Sequence, residues 1–301
     1  MKIRVPATTA NLGPGFDVFG LALQLYLKVN ARKSAGPLEL TYRGRGDGSV
    51  ALDETNLIWR TFTHVAEREQ AQWPNLVIDI ENDIPFGRGL GSSGAAVVAG
   101  VLMANEICQL NLSRERMLDY ALEIEPHPDN ITAALLGGLV ACCVTDDSHM
   151  LHAKIPVSPQ IKAVVVVPDF ELATTQARAV LPAQYARADA VFNLQRVAML
   201  AMALGGARRE LVAEAMRDRL HQPYRTPLIP GLEESLELQD VPGLLGVSLS
   251  GAGPSVLALA VANFAHIGEK IQANFDRHGI RSEVLVLDIE EHGAEVIGNW
   301  A

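Results

Sequence analysis

A glycine-rich loop, Pro85-Phe86-Gly87-Arg88-Gly89-Leu90-Gly91-Ser92-Ser93-Gly94-Ala95-Ala96, runs directly into the apolar segment 97–110 and constrains the chain more than any other stretch. Upstream, Leu76-Val77-Ile78-Asp79-Ile80 alternates with the period of a strand, so the order is strand, glycine loop, helix. That order suits an anion. Glycines let the backbone come close to a ligand, the free N–H groups of a helix's first turn point at it, and the helix dipole favours negative charge there. Ser92 and Ser93 add hydroxyls able to bind a phosphate oxygen or a metal ion. A dinucleotide fingerprint requires a second strand ending in an acid about 20 residues further on, whereas Asn111-Leu112-Ser113 and another helical pattern follow here. A Walker loop requires Gly-Lys-Ser/Thr after the glycines, and none is present. A bare connection does not account for the glycines, two serines and a proline together, and the loop reads as a phosphate cradle.

At 301 residues the chain exceeds the usual size of a single core, and two intimate lobes are expected, residues 1–155 and 156–301, with the boundary between Met150 and Gln160. A net charge of −10 without any Lys/Arg block argues against nucleic acid as a general partner. A negative protein that binds phosphates must gather its cations locally. No apolar run is long enough to span a membrane, since Glu106 interrupts the best candidate, and Met1-Lys2-Ile3-Arg4-Val5-Pro6 opens into a strand without an apolar leader pattern, so a cytoplasmic location is expected. Three cysteines cannot all pair. Cys142-Cys143 are neighbours in a strand-like run and point to opposite faces, which favours buried, reduced thiols over a metal or redox pair.

Along the chain, Asn11-Leu12-Gly13-Pro14-Gly15-Phe16-Asp17 forms a tight turn between apolar runs, with Asn11 and Asp17 suited to hydrogen-bonding a small ligand or merely capping a loop. Asn56 precedes a helical pattern as its cap. Residues 95–110 are apolar nearly all round, the mark of a central buried helix. The following helix starts at Ser113, carries Glu123 and Glu125 near its end and stops at Pro126. His127-Pro128-Asp129-Asn130 has the residue types of a catalytic cluster, although punctuation explains most of it. In the second lobe, helices are expected over 188–204 and 208–220. Arg178, after Thr174-Thr175-Gln176-Ala177, and Arg225 stand in loop-like segments, where isolated arginines are usually solvated. Two strands flank Ser250-Gly251-Ala252-Gly253-Pro254-Ser255 as a hairpin, and the lobe reads as an α+β sandwich.

The Asn11–Asp17 turn, the Pro85–Ala96 loop and the Ser250–Ser255 turn together resemble the three ordered motifs of the GHMP small-molecule kinases. His127–Asn130, Thr174–Arg178 and Pro223-Tyr224-Arg225 are similar to the branch of that family that phosphorylates homoserine. The resemblance implies an α+β fold of two lobes, the first like domain 2 of ribosomal protein S5 and the second ferredoxin-like, with ATP and Mg²⁺ between them. It further implies that Asn56 and the loop Pro85–Ala96 bind the nucleotide and that Ser93 and Glu125 hold the metal. By the same resemblance Asn11, Asp17, Asn130, Thr174, Arg178 and Arg225 bind L-homoserine, the arginines receiving its carboxylate and Asp17 its amino group, with Asn130, Ser93 and Glu125 at the centre of catalysis. Forked guanidinium groups match a carboxylate and an anion matches an ammonium. Family members carry a glycine where Pro126 stands, which leaves Glu123 as an alternative metal ligand. The competing expectations are a kinase of the same family acting on a mevalonate-type alcohol, and a nucleotide-binding regulator without turnover. A homodimer is also expected from the resemblance.

Overall fold

Period-two apolar runs become strands and 3.6-period runs become helices, and the computed structural model describes residues 1–46, 48–206 and 208–298 of the result. Strands β1 (Lys2–Ala10), β2 (Phe19–Lys33), β3 (Glu39–Gly44), β4 (Leu76–Asn82), β5 (Leu139–Val144) and β6 (Met150–Ile155) belong to the first lobe. Its helices are α1 (Leu57–Arg68), α2 (Ser92–Ile107), α3 (Arg114–Ile124) and α4 (Pro128–Leu136). The second lobe holds strands β7 (Lys162–Pro168), β8 (Leu244–Leu249), β9 (Val256–Ala260) and β10 (Ser282–Leu287). Its helices are α5 (Thr174–Ala179), α6 (Arg187–Gly205), α7 (Val212–Ala215), α8 (Gln222–Arg225), α9 (Leu232–Leu236) and α10 (Phe264–Arg277).

The 15-residue β2 is the spine of the first sheet. It pairs with β1 along one edge and, on the other, with β5 near its start and β4 near its end. The β1–β2 register shifts at Pro6/Ala7, where proline has no N–H for the ladder. β4 pairs in parallel with β3. A last strand, β11 (Glu295–Ile297), returns to pair with β1, so the segment 156–301 gives its end back to the first lobe rather than forming the second alone. The second sheet is antiparallel in the order β10-β7-β9-β8. In β7 the valine run is buried on both faces: Ala163, Val165 and Val167 join the core shared with the first lobe, while Val164 and Val166 face the core under α10.

α2 crosses the first lobe with residues buried on every side, as its composition requires. It meets α1 at Gly100, where a Cβ would stand 2.6 Å from Thr61 Cβ and 2.7 Å from the Ile58 carbonyl oxygen. The lobes are pinned at the start of β10 and just past its end. Gln24 N–H donates to the Asp288 carbonyl, Tyr26 Oη donates to Glu290 Oε2 at 2.6 Å, and Arg45 makes a two-pronged bond to Glu283 at 2.7 and 2.8 Å.

Two local expectations change. Residues 208–220 form a 3₁₀ turn (Arg209–Leu211) and the short α7 rather than one helix, because Asp218 gathers the next N–H groups. Its carboxylate accepts from Leu220, His221 and Gln222 backbone N–H, which bends the chain away from a helical path. Cys142 is buried and Cys143 exposed, so only one of the adjacent thiols is hidden, although both are free. Among the described residues no helix is long and apolar enough to cross a membrane.

The Gly100 contact fixes a sign. Alanine is the better helix former by about 1 kcal/mol, but forcing a methyl into a packed crossing costs about 1–3 kcal/mol. Gly100→Ala is therefore expected to lower the urea midpoint with an unchanged slope, and a raised midpoint would show that α1 yields freely.

Candidate active site

The three glycine-bearing turns meet at one place. Gly87, Gly89 and Gly91 all have positive φ, at 64°, 76° and 68°. At Gly89 a Cβ would lie 2.2 Å from the Ser250 carbonyl oxygen, and at Gly91 1.9 Å from Thr8 Oγ1. Ser250 Oγ donates to the Gly89 carbonyl at 2.6 Å, Gly251 N–H donates to the Ala10 carbonyl, and Asn11 Nδ2 donates to the Gly251 carbonyl at 3.0 Å. The glycines of the loop thus serve backbone-to-backbone packing as well as ligand approach.

Two cavities of about 220 Å³ each open on this junction and share Phe86, Ser92 and Ser93. One is largely apolar and is lined by Leu27, Tyr42, Asn56, Ile58, Ile80 and Phe86 among others. The other lies between the lobes and takes in Asn11, Asp17, Glu125, Asn130, Thr174, Arg178 and Arg225. A larger groove of about 1050 Å³ on the second lobe is lined by Glu210, Glu214, Asp218, Glu233, Glu237 and Asp240 against Arg217, a charge balance that repels phosphate. Among the described residues no lysine lines either of the paired cavities.

Each candidate residue has a definite environment. Ser93, in the first turn of α2, donates its hydroxyl to Glu125 Oε2 at 2.7 Å. Glu125 lies just past α3 in an extended conformation, the one a residue before proline prefers, so Pro126 helps hold it out of the helix. Its other oxygen pairs with His127 Nδ1. Burial pushes the Glu125 carboxyl up, but hydrogen bonds from His127 and Ser93 outweigh it and hold the group below its ordinary range. Glu123, the alternative, faces away and pairs with His64 and Arg68, which removes it from the site. Ser93 and Glu125 offer two oxygen donors, and among the described residues no group of three or more His, Cys, Asp or Glu forms a closed metal cage, a set that suits Mg²⁺ completing its shell from phosphate and water.

On the other wall, Asp17 Oδ1 accepts from Arg178 Nη2 at 2.6 Å, both groups about one third exposed. Arg178 Nε also donates to His127 Nε2 at 3.1 Å. Asn11 is buried and committed to the loop, its Oδ1 accepting from Asp17 N–H. Arg225 is 1% exposed, not solvated; Nε donates to the Ala177 carbonyl and Nη1 to the Gly251 carbonyl. Burial and the nearby Arg178 lower its pKa to about 10, which leaves it charged at neutral pH. Asn130 is fixed from both sides: its Oδ1 accepts from Thr8 Oγ1 at 2.7 Å and its Nδ2 donates to Asp129 Oδ1 at 2.9 Å.

Not every loop residue presents its side chain. Leu90 and Ala95 are buried, and Pro85 lines an outer cleft. Arg88 donates to the Pro168 carbonyl at 2.8 Å, tying the loop to β7. Asn56 caps α1, accepting from Ile58 N–H while donating to the Ala51 carbonyl. Sequence reasoning missed Phe16, whose ring lies 5.2 and 5.3 Å from the guanidinium carbons of Arg178 and Arg225, and it passed over His127 and Asp129 as punctuation. A histidine and an aspartate framing a proline beside an asparagine were the available signal.

The family model for the GHMP kinases N terminal domain matches residues 56–138, and that for the GHMP kinases C terminal region matches residues 201–277. The chain belongs to the GHMP kinase family. Within it the similarity is to homoserine kinases: that of Schizosaccharomyces pombe is 43% identical with 98% of each chain covered, and that of Solibacter usitatus is 43% identical, covering 98% of this chain and 96% of the relative. The crystal structure of homoserine kinase from Cytophaga hutchinsonii aligns with a TM-score of 0.89 at 31% identity, over 99% of this chain and 97% of that one. L. major mevalonate kinase, at 17% identity and a TM-score of 0.71, shares the fold.

The glycines separate by what surrounds them. A Cβ on Gly87 would meet only Glu171 side-chain atoms from 3.4 Å outward, so Gly87→Ala is expected to cost about 1–2 kcal/mol of left-handed strain. Gly89→Ala, which drives a methyl into a carbonyl oxygen, should cost more and weaken binding in both cavities; equal unfolding midpoints for the two variants would refute the close contact.

Asp129 supplies a pH signature. Burial, and then the nearby Asp17 charge, raise its pKa from 3.8 to about 7 against the Asn130 N–H, His127 and Arg178. Between those values the folded chain holds a proton that the unfolded chain releases. The group's contribution to stability is therefore full below pH 3.8 and lost as pH rises through about 7, at up to about 1.4 kcal/mol per unit. Relative to Asp129→Asn, the wild type is expected to lose unfolding free energy over that window. Parallel urea-derived curves would show an ordinary carboxylate.

Proposed function

We propose that this chain transfers the γ-phosphoryl group of ATP to the side-chain hydroxyl of L-homoserine, giving O-phospho-L-homoserine on the route to threonine. The observation that carries the reading is the placement of the Ser93–Glu125 pair at the start of α2 across one cavity from Arg178, Asp17 and Arg225. Similarity to homoserine kinases over nearly the whole chain supports it.

The apolar cavity takes the adenine, and the N–H groups of the glycine loop and of the first turn of α2 take the phosphates. With no lysine there, phosphate charge is balanced by those N–H groups and by Mg²⁺ on Ser93 and Glu125, and the ion when bound supplies charge neutralisation at the transferred group. His127, in the same cavity wall, holds Glu125 through its Nδ1 and meets Arg178 through its Nε2. In the second cavity the Arg178–Asp17 pair stands in for a zwitterion: an amino acid offers its carboxylate to Arg178 and Arg225 and its ammonium to Asp17, exchanging one set of charged partners for another. Thr174 lines the same wall, and Asn11 braces Asp17. Asn130 orients the acceptor hydroxyl, because Thr8 and Asp129 leave its amide one orientation. An amide cannot act as a base. Catalysis rests on positioning and electrostatics, consistent with a loose transition state that needs little early proton removal.

Coupled ADP release measured against homoserine, threonine, serine and mevalonate tests the assignment, with homoserine the preferred acceptor. Preference for mevalonate would move the chain to a different acceptor class, and ATP binding without turnover would make it a regulator. Arg178→Ala is expected to raise KM for homoserine by about 10–100-fold with little change for ATP, since a hydrogen bond to a charged group is worth about 1.5–3 kcal/mol. A change confined to ATP would place the arginine on the phosphates.

A further inference from the structure

His221 lines neither cavity, yet it is fully buried where the two lobes touch beside the acceptor site. It precedes α8, and as residue i to Arg225 at i+4 it shares that residue's face. Its Nδ1 lies 3.2 Å from Arg225 Nη1 and its Nε2 2.6 Å from the Gly13 carbonyl oxygen. A guanidinium only donates and a carbonyl only accepts. The ring must therefore accept at Nδ1 and donate from Nε2, which defines a neutral imidazole of one tautomer. An imidazolium would set N–H against N–H at Arg225. Its backbone N–H is held by Asp218, whose carboxylate also takes Asn193 Nδ2, and Asn193 in turn donates to the Pro14 carbonyl. The ring stacks on Phe16 at 5.2 Å and 24°.

We propose that His221 is a positioning residue for the acceptor: as a neutral, Nε2-protonated imidazole it ties the Asn11–Asp17 turn of the first lobe to Arg225 of the second. The reading of Arg225 and Asp17 as acceptor ligands underlies this proposal. Nε and Nη1 of Arg225 are spent on Ala177, Gly251 and His221, so Nη2 is the nitrogen that remains for a carboxylate. Phe16 stacks on His221 and lies 5.2 and 5.3 Å from the guanidinium carbons of Arg178 and Arg225, so one ring of the first lobe packs against all three groups. The charged groups facing the imidazole are Asp218, which favours its protonation, Arg225, which opposes it, and the more distant Asp17. Burial opposes protonation further, and the Gly13 carbonyl favours it, but that carbonyl is already satisfied by the neutral ring's Nε2–H.

Long-range ¹H–¹⁵N spectra of the histidine-labelled full chain read the tautomer directly. Expected is a neutral Nε2–H ring whose shifts stay fixed from roughly pH 5.5 to 8.5, across the range where an ordinary histidine titrates; a ring that titrates there, or carries its proton on Nδ1, overturns the proposal. His221→Gln keeps a donor within reach of Gly13 and loses the acceptor for Arg225, and His221→Phe keeps the stack and loses both bonds. KM for homoserine should rise by about tenfold in the first and by up to about a hundredfold in the second, with KM for ATP within about twofold. An equal rise in both KM values, or a loss in kcat alone, would make the role merely structural and overturn the positioning claim. Should His221→Phe not fold, His221→Gln carries the KM split alone. Failure of the acceptor reading itself would appear already in the wild-type assay, whereas failure of the positioning claim appears only in the variants and the spectra.

Discussion

The structure depends on one close approach of backbone to backbone. The Gly89 and Ser250 segments come so near that the space a Cβ would fill at Gly89 is occupied by the Ser250 carbonyl oxygen, and Ser250 Oγ closes the contact with a hydrogen bond to Gly89. Because Gly251 is bonded in turn to Ala10 and Asn11, the same contact fixes the end of β1 and the Asn11–Asp17 turn. Three segments far apart in the chain are thereby locked into one floor, and the two cavities open from it. Glycine at the junction is a geometric requirement of that floor before it is a means of binding phosphate.

Charge in the site is arranged by pairing rather than by excess. The chain carries a net charge of −10; Arg88, Arg178 and Arg225 line the cavity between the lobes, and among the described residues no lysine lines either paired cavity. On the proposed reading, a lysine-poor phosphate site would lean on backbone N–H groups, the α2 dipole and a divalent ion, for which Ser93 and Glu125 would supply two oxygens. Arg178 is paired with Asp17, so on the proposed reading neither charge would wait unpartnered before a zwitterion enters. Such partner exchange avoids the cost of stranding a charge in a partly desolvated cleft.

At the lobe junction Asp218, Asn193, His221 and Arg225 bond to one another and to nearby backbone as a connected set. Asp218 collects three backbone N–H groups and Asn193, His221 bridges Arg225 and Gly13, and Arg225 reaches Ala177 and Gly251. A buried network of this kind specifies one arrangement of the lobes, since removing a single member leaves its partners unpaired at full desolvation cost. The proposed acceptor site rests on this network.

What the sequence determined by itself was everything local periodicity and turn chemistry can encode. The strand before the glycine loop, the buried α2, the Asn56 and Ser113 caps and the stop at Pro126 all follow from short-range rules. The resemblance of three spaced motifs added the family and an expectation of which residues form the site. Only the tertiary structure decided which polar side chains point into the cavities and which are spent on the backbone around them. Asn11, Asn56 and Arg88 are spent on backbone groups; Arg225 is buried rather than solvated; Glu125 and not Glu123 turns inward. The final strand crosses back to β1, and Asp218 breaks a run that reads as helix. Hydrogen-bond partners of this kind lie far apart in the chain, 240 positions in the case of Asn11 and Gly251. No local pattern carries that information, because the choice between solvent and a distant carbonyl is made only when the two lobes close on each other.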